Sequence, residues 1–165
     1  MKFATKASPE SGLTFVEIMI AVLLVAAFFG SIFELNAVCL RYVDATKESV
    51  GALQSVHDRC EQLRNLAFTD LTSTSSLQNL MATAPNTSDF CSKATETVTI
   101  RAFPSANGVT QLTRSPSGTE TVNSTSNDLG STLVQVDVSN SWSMTLGSHA
   151  RTEQTSTIIS NGTKK

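Results

Sequence analysis

Glu17 is the residue whose position most needs a chemical explanation. It stands in the segment LTFVEIMIAVLLVAAFFGSIF, residues 13–33, where it is the one charged side chain. An acidic group in an apolar spanning helix costs up to about 2.5–3.5 kcal/mol near the centre and less toward the edge. Such a group usually has a partner, and the apolar run itself offers none. Cys39, Cys60 and Cys91 are the next candidates. On one helix Cys39 and Cys60 lie roughly 30 Å apart and cannot bond within the chain. A Cys60–Cys91 disulfide is the pairing an oxidising compartment would favour, against two buried free thiols acting as small apolar groups. His57 and Cys60 share a helix face, but no second pair of ligands accompanies them, so no metal is assigned. There is no phosphate-cradling glycine loop, nucleophile elbow or paired-carboxylate site. The expectation is a protein that is not an enzyme and has no cofactor.

The element that holds Glu17 is long. At about 1.5 Å per residue, a helix over 13–33 spans roughly 30 Å, the thickness of a bilayer's hydrocarbon core. Lys2 and Lys6 precede it and no Lys or Arg follows until Arg41. That asymmetry keeps the N-terminus cytoplasmic and exports the rest. A cleaved secretory signal fits the lysines, but the apolar stretch exceeds the usual h-region of about 7–15 residues and no A-x-A site follows it. A lipoprotein signal would need Cys39, which lies too far beyond the apolar core. An ordinary signal anchor leaves Glu17 unexplained.

Ser11-Gly12-Leu13-Thr14-Phe15-Val16-Glu17 decides among these. A short polar leader ending in Gly, followed by an apolar run with Glu at its fifth position, resembles the type IV prepilin signature. The resemblance covers about the first 40 residues. It implies that a membrane prepilin peptidase cuts after Gly12 and methylates the new N-terminal amine of Leu13. It also implies that Glu17 is the glutamate thought to pair with the N-terminal amine of a neighbouring subunit. The physical logic agrees, since an ammonium at Leu13 and a carboxylate at Glu17 lie on one helical face about one turn apart. Pairing lowers the cost that each charge alone carries in lipid. Two positions depart from the common pattern. Leu13 stands where Phe is commoner, and Glu34 where many major pilins carry Pro. The second departure points to a minor subunit or pseudopilin. Some major pseudopilins bind calcium, and Asn127-Asp128 could contribute to such a site, although acidic ligands are sparse here.

Past the membrane the pattern changes from apolar all round to a stripe. Leu35, Val38, Cys39, Tyr42, Val43, Val50, Leu53, Val56, Cys60, Leu63 and Leu66 recur mostly at spacings of three and four. Arg41, Asp44, Lys47, Glu48, Asp58, Arg59, Glu61 and Arg64 fall largely off that stripe. One helix is therefore expected over 13–68, its second half needing a sheet from its own chain to cover it. A coiled-coil stalk is the alternative. Residues 69–86 read as a polar connection with a short helical turn at 77–81. Strands are expected at 97–103, with Val98, Ile100 and Ala102 on one face, and at 109–113 after the Asn107-Gly108 turn signal. Ser115-Pro116-Ser117-Gly118 marks another turn, and 114–131 a long loop with few apolar anchors. The clearest strand is 133–140, with Val134, Val136 and Val138 on one face and Trp142 on the same side. Residues 149–159 suit an edge strand.

The fold class is thus α+β, a long N-terminal helix packed by its second half on a small antiparallel sheet through Leu53, Val56, Cys60 and Leu63. The division is a cleaved leader at 1–12, a transmembrane or filament-core half-helix at 13–33, an amphipathic half-helix at 34–68 and a Ser/Thr-rich β region at 69–165. The resemblance implies a structural subunit of a type IV pilus or type II secretion filament. Its partners would be the prepilin peptidase, other pilin or pseudopilin subunits, an inner-membrane assembly platform and the lipid bilayer. It would sit in the inner membrane with its C-terminal domain periplasmic, then in a filament in the periplasm or on the cell surface. A net charge of -2 and a pI near 5.6 give no basic surface for nucleic acid. The alternative is a signal-anchored periplasmic binding module that never polymerises. Asn86-Thr87-Ser88, Asn123-Ser124-Thr125 and Asn161-Gly162-Thr163 match a glycosylation pattern that a Ser/Thr-rich chain produces by chance.

Overall fold

A computed structural model describes residues 14–104, 108–126, 128–130 and 132–162. The leader, the Gly12–Leu13 junction, Asn107, Asn127 and Thr163 lie outside the described residues. The chain divides into two compact units, Met1–Leu40 and Arg41–Lys165.

In the first unit every described residue belongs to or caps helix α1, which runs Phe15–Asn65, and every one is exposed. The sequence dictates this, since Phe, Val, Ile, Leu, Met and Ala project all round and no one face has a polar complement. Ser31 does not break the helix at Gly30-Ser31. Its hydroxyl donates to the Ala27 carbonyl at 2.9 Å, so the backbone ladder continues past it.

In the second unit α1 packs by one face against a five-stranded antiparallel sheet. The strands are β1 (Thr95–Ala102), β2 (Val109–Arg114), β3 (Glu120–Ser124), β4 (Leu133–Ser143) and β5 (Ala150–Ser160), in spatial order β3-β2-β1-β4-β5. Short helices α2 (Phe68–Leu71) and α3 (Thr74–Met81) and a 3-10 turn (Asp89–Ser92) connect α1 to β1. Alternation does the sorting: Val98 and Ile100, Leu112, and Val134, Val136 and Val138 point to the helix side and are fully buried. They close on Val56, Cys60 and Leu63 of α1, Leu71 of α2, Leu77 and Met81 of α3, and Leu129. Burying each large side chain contributes about 1.5–3 kcal/mol. Ala52, Phe90, Ala94 and Trp142 form a second, smaller cluster.

The expected strands are present with small shifts of boundary, and Trp142 is buried on the valine side. Four expectations are corrected. The first helix ends at Asn65 rather than Phe68, because Ala67 takes an extended conformation and Phe68 opens α2, which buries Leu71. The expected turn at 77–81 is the end of a longer helix, α3. The stretch 114–131 is not all loop. After a turn where Gly118 adopts a positive φ of 86°, β3 pairs with β2 and packs Val122 on the core. Leu53 does not face the sheet: it is 60% exposed, as is Val50, and Ala52, Ser55 and Arg59 take the buried positions instead. The helix is not a coiled-coil stalk, since its own sheet covers one face.

Candidate functional site

The N-terminal turn of α1 gives Glu17 a partner in its own chain. The Glu17 carboxylate accepts from the Thr14 backbone N–H at 2.7 Å and from the Thr14 hydroxyl at 3.0 Å, both through Oε2. In return the Glu17 N–H donates to Thr14 Oγ1 at 3.3 Å. This reciprocal arrangement is a capping box, in which Thr-x-x-Glu satisfies helix-end donors that have no intrahelical acceptor. The sequence carries that spacing in Thr14-Phe15-Val16-Glu17. The partner of the carboxylate is thus a hydroxyl and an amide three residues away rather than a charge. Among the described residues none donates to Oε1, so the carboxylate keeps acceptor capacity beyond its own turn.

Around this turn the surface is apolar. Phe15 is 76% exposed, and Val16, Met19, Leu23 and Phe33 are similarly open. The best 18-residue window has a mean hydropathy of 2.5 and no part of it is buried. By length and composition this helix can cross a membrane. A capped carboxylate at the end of such a helix sits at the edge of the span, where its cost is smallest. No family model, curated protein or solved structure matches the chain. What the chain displays is a long apolar N-terminal helix whose continuation packs on a small antiparallel sheet, a fold consistent with pilin-like subunits in general.

Two charged residues expected off the buried face are on it. Arg59 is fully buried, and its guanidinium donates Nε–H to Glu96 Oε1 at 2.6 Å and Nη2–H to Glu96 Oε2 at 3.0 Å. Its other donors reach Gln62 Oε1, the Leu80 carbonyl and the Thr83 carbonyl. One planar fork thus ties α1 to β1 and to the segment after α3. Glu48, 8% exposed, accepts from the Thr145 hydroxyl and from its N–H at 3.0 Å, with Lys93 Nζ at 3.9 Å. Burial pushes the Glu48 carboxyl up, but the Thr145 hydroxyl and amide and the Lys93 charge outweigh it and leave it below the usual range. The signal was present in the spacing 48, 52, 55, 59, 63, which is a helix face. It was hidden because the residues there are Glu, Ala, Ser and Arg as well as Leu.

The cysteines do not pair. Cys39 is exposed, and Cys60 and Cys91 are buried free thiols. Cys91 lies beside Ser55, with Sγ 3.6 Å from its hydroxyl and 3.2 Å from Asn86 Oδ1. Ser55 is more than a turn along the helix from Cys60, about 7 Å of axial rise. Cys60 instead packs with Val56 and Leu63, where burial, joined by the charge of Glu61, raises its thiol against the smaller opposing pull of Arg64. Among the described residues no group of three or more His, Cys, Asp or Glu is placed to hold a metal. Asn86, a glycosylation candidate, uses its amide to donate to Asp58 Oδ2 at 2.6 Å and its Oδ1 to accept from Ser88. Asn123 donates to Thr113 Oγ1 at 2.6 Å.

Proposed function

We propose that this chain is a structural subunit of a pilin-like filament, a minor pilin of a type IV pilus or a pseudopilin of a type II secretion system. On this reading a prepilin peptidase hydrolyses the Gly12–Leu13 bond and methylates the amine it exposes. The mature N-terminus then carries its ammonium about one turn from Glu17. What supports the reading is one observation: Glu17 is the single charge in the uncovered apolar stretch of α1, residues 15–33, next to the Gly12-Leu13 signature. Its carboxylate is held at the helix end through Oε2, which leaves Oε1 able to accept from a neighbour. A neighbouring subunit's N-terminal ammonium would complete it and fix axial register between copies. The chain stays in the inner membrane with its sheet domain in the periplasm until it is extracted into the filament.

The capping box favours a second reading. Because Thr14 already satisfies Oε2, Glu17 has a role in a helix that never polymerises, as in a signal-anchored periplasmic binding module. The mature N-terminal residue separates the two. Mass spectrometry of the protein from membranes and from sheared surface material should find an N-methylated Leu13. An intact Met1, in cells with active peptidase, rejects the filament reading. A Gly12→Ala variant should accumulate as precursor, and normal processing of that variant would remove the leader assignment.

A further inference from the structure

The end of β5 passes directly into Asn161-Gly162, a pair with chemistry of its own. The carboxamide carbon of an asparagine is a weak electrophile, and the backbone nitrogen of the next residue is its nearest nucleophile. A side chain on that next residue keeps the two apart, as does a helix or strand that fixes the backbone. Glycine removes the first obstacle because it has no Cβ. The second obstacle sorts the asparagines. Asn36, Asn65 and Asn79 lie in helices, and Asn123 and Asn140 in strands. Asn86 stands in a connection but is followed by the β-branched Thr87.

Asn161 lies just past β5, in neither helix nor strand, and both it and Gly162 are exposed. Its N–H donates to the Thr132 carbonyl at 2.7 Å and closes the β4–β5 ladder. The peptide on its other side carries the attacking nitrogen and lies beyond that ladder, whose last pair is Leu133 with Ser160. A Cβ built at Gly162 would meet Ser160 Oγ at 3.4 Å, an ordinary contact. The chain has one other Asn-Gly pair, Asn107-Gly108, of which Asn107 lies outside the described residues. Gly108 is buried, and Ser126 Oγ and the Asp128 carbonyl fill the space a Cβ would take. Water and base therefore reach the Gly162 nitrogen far more freely than that of Gly108.

We propose that Asn161 is a site of spontaneous covalent modification, deamidation through a cyclic imide, and that it converts faster than Asn107. The Gly162 N–H gives its proton to solvent base, and the nitrogen forms a bond to Asn161 Cγ. The bond from Cγ to Nδ2 breaks, and Nδ2 takes up a proton and leaves as ammonia. Water then opens the five-membered imide at either carbonyl, giving aspartate or isoaspartate. Each event turns a neutral amide into a carboxylate and so adds one negative charge to a chain of net charge -2. The new charge stands in the wall of a cleft that Arg64 also lines. Isoaspartate lengthens the backbone by one methylene, but one residue past Ser160, so the β4–β5 pairing is kept. The sheet domain thus tolerates the change, and no part of the filament reading is needed for it.

The test uses the full-length protein in detergent micelles, aged at neutral pH in heavy-oxygen water and read by peptide mapping with mass spectrometry. The peptide containing Asn161 should convert with time, each product carrying one heavy oxygen, and both aspartate and isoaspartate should form. The peptide containing Asn107 should convert more slowly. Gly162→Ala should slow conversion at 161 by roughly tenfold, because a Cβ raises the barrier to ring closure. Its folding, followed by Trp142 fluorescence, should match that of the unchanged protein, since residue 162 lies beyond the sheet. A free peptide of residues 156–165 sets the time scale. No conversion at 161 while that peptide converts overturns the proposal, as does a glycan found on Asn161. Aspartate without isoaspartate, or an unchanged rate in Gly162→Ala, overturns the cyclic route. Faster conversion at Asn107 overturns the structural ranking of the two sites. None of these outcomes bears on leader cleavage or filament incorporation, so failure here leaves the filament reading standing and the converse also holds.

Discussion

Arg59 and Glu96 form a buried bidentate ion pair across the interface of α1 and β1, with Nε to Oε1 at 2.6 Å and Nη2 to Oε2 at 3.0 Å. Neither side chain is more than 4% exposed. Such a pair is worth little against a well-packed apolar substitute, but losing one member leaves an uncompensated charge in the core. Arg59→Met should therefore destabilise the sheet domain by about 3–5 kcal/mol. The double variant Arg59→Met/Glu96→Leu should recover most of that loss. Trp142, the chain's only tryptophan, is 7% exposed and reports unfolding by fluorescence. A double variant no more stable than Arg59→Met would show that the fork acts through Leu80 and Thr83 rather than through Glu96.

Glu48 makes stability depend on acid. Its carboxyl lies below the usual 4.5 when folded, so the unfolded chain binds the proton more readily. The stabilisation is complete above about 4.5 and is lost as pH falls through and below that value. Glu48→Gln should flatten this part of the stability profile. Glu48→Ala, which leaves the Thr145 N–H and hydroxyl without their acceptor, should cost about 1–3 kcal/mol at neutral pH. Denaturant unfolding followed at several pH values checks both. An unchanged acid slope in Glu48→Gln would assign the dependence to other carboxylates.

Gly51 reads in sequence as a helix breaker, yet α1 passes through it unbroken. A Cβ there would lie 2.9 Å from Phe90 Cβ and 3.2 Å from its Cγ. Those atoms are at the root of the side chain and cannot swing away. Phe90 in turn meets Trp142 edge-on, with ring centroids 5.1 Å apart. Gly51→Ala should gain about 1 kcal/mol of helix propensity but lose about 1–3 kcal/mol to overpacking, so the melting temperature falls. A rise in melting temperature would mean that the 3-10 turn carrying Phe90 yields easily.

How much of this was legible depends on which signal each residue carries. Val134, Val136 and Val138 announce β4 because a period of two in valine has no other good use, and the apolar run at 13–33 announces its helix as plainly. The buried face of α1 was half legible. Val56, Cys60 and Leu63 gave it away, whereas Glu48, Ser55 and Arg59 each have a buried-side partner 36 or more residues distant, which no local pattern encodes. Leu53 misled for the complementary reason: it is apolar and correctly spaced for one stripe, but the sheet covers the neighbouring stripe. β3 was missed because five residues with one buried-side valine fall below any periodicity test. At Glu17 two signals overlap: the Gly12–Glu17 spacing points to a charge partner, and the Thr14-x-x-Glu17 spacing encodes the cap.

Thr14 and Glu17 permit a test that separates the cap from the charge. Glu17→Gln keeps a side-chain oxygen that can accept from the Thr14 N–H and hydroxyl, and removes the negative charge. Thr14→Val keeps the branched shape and the backbone N–H bond, and removes the hydroxyl from both of its interactions. Losing a threonine cap costs about 0.5–2 kcal/mol of helix stability. Under the filament proposal both variants are processed normally, but Glu17→Gln enters filaments roughly tenfold less or worse, a loss of about 1.4 kcal/mol or more. Thr14→Val then lowers incorporation only mildly, since its carboxylate still meets the neighbouring ammonium. If the carboxylate serves only to cap its own helix, the order reverses: Glu17→Gln behaves as wild type and Thr14→Val is the weaker protein. Quantifying each variant in sheared filaments relative to its membrane pool distinguishes the two orders, because processing and membrane insertion cancel in the ratio.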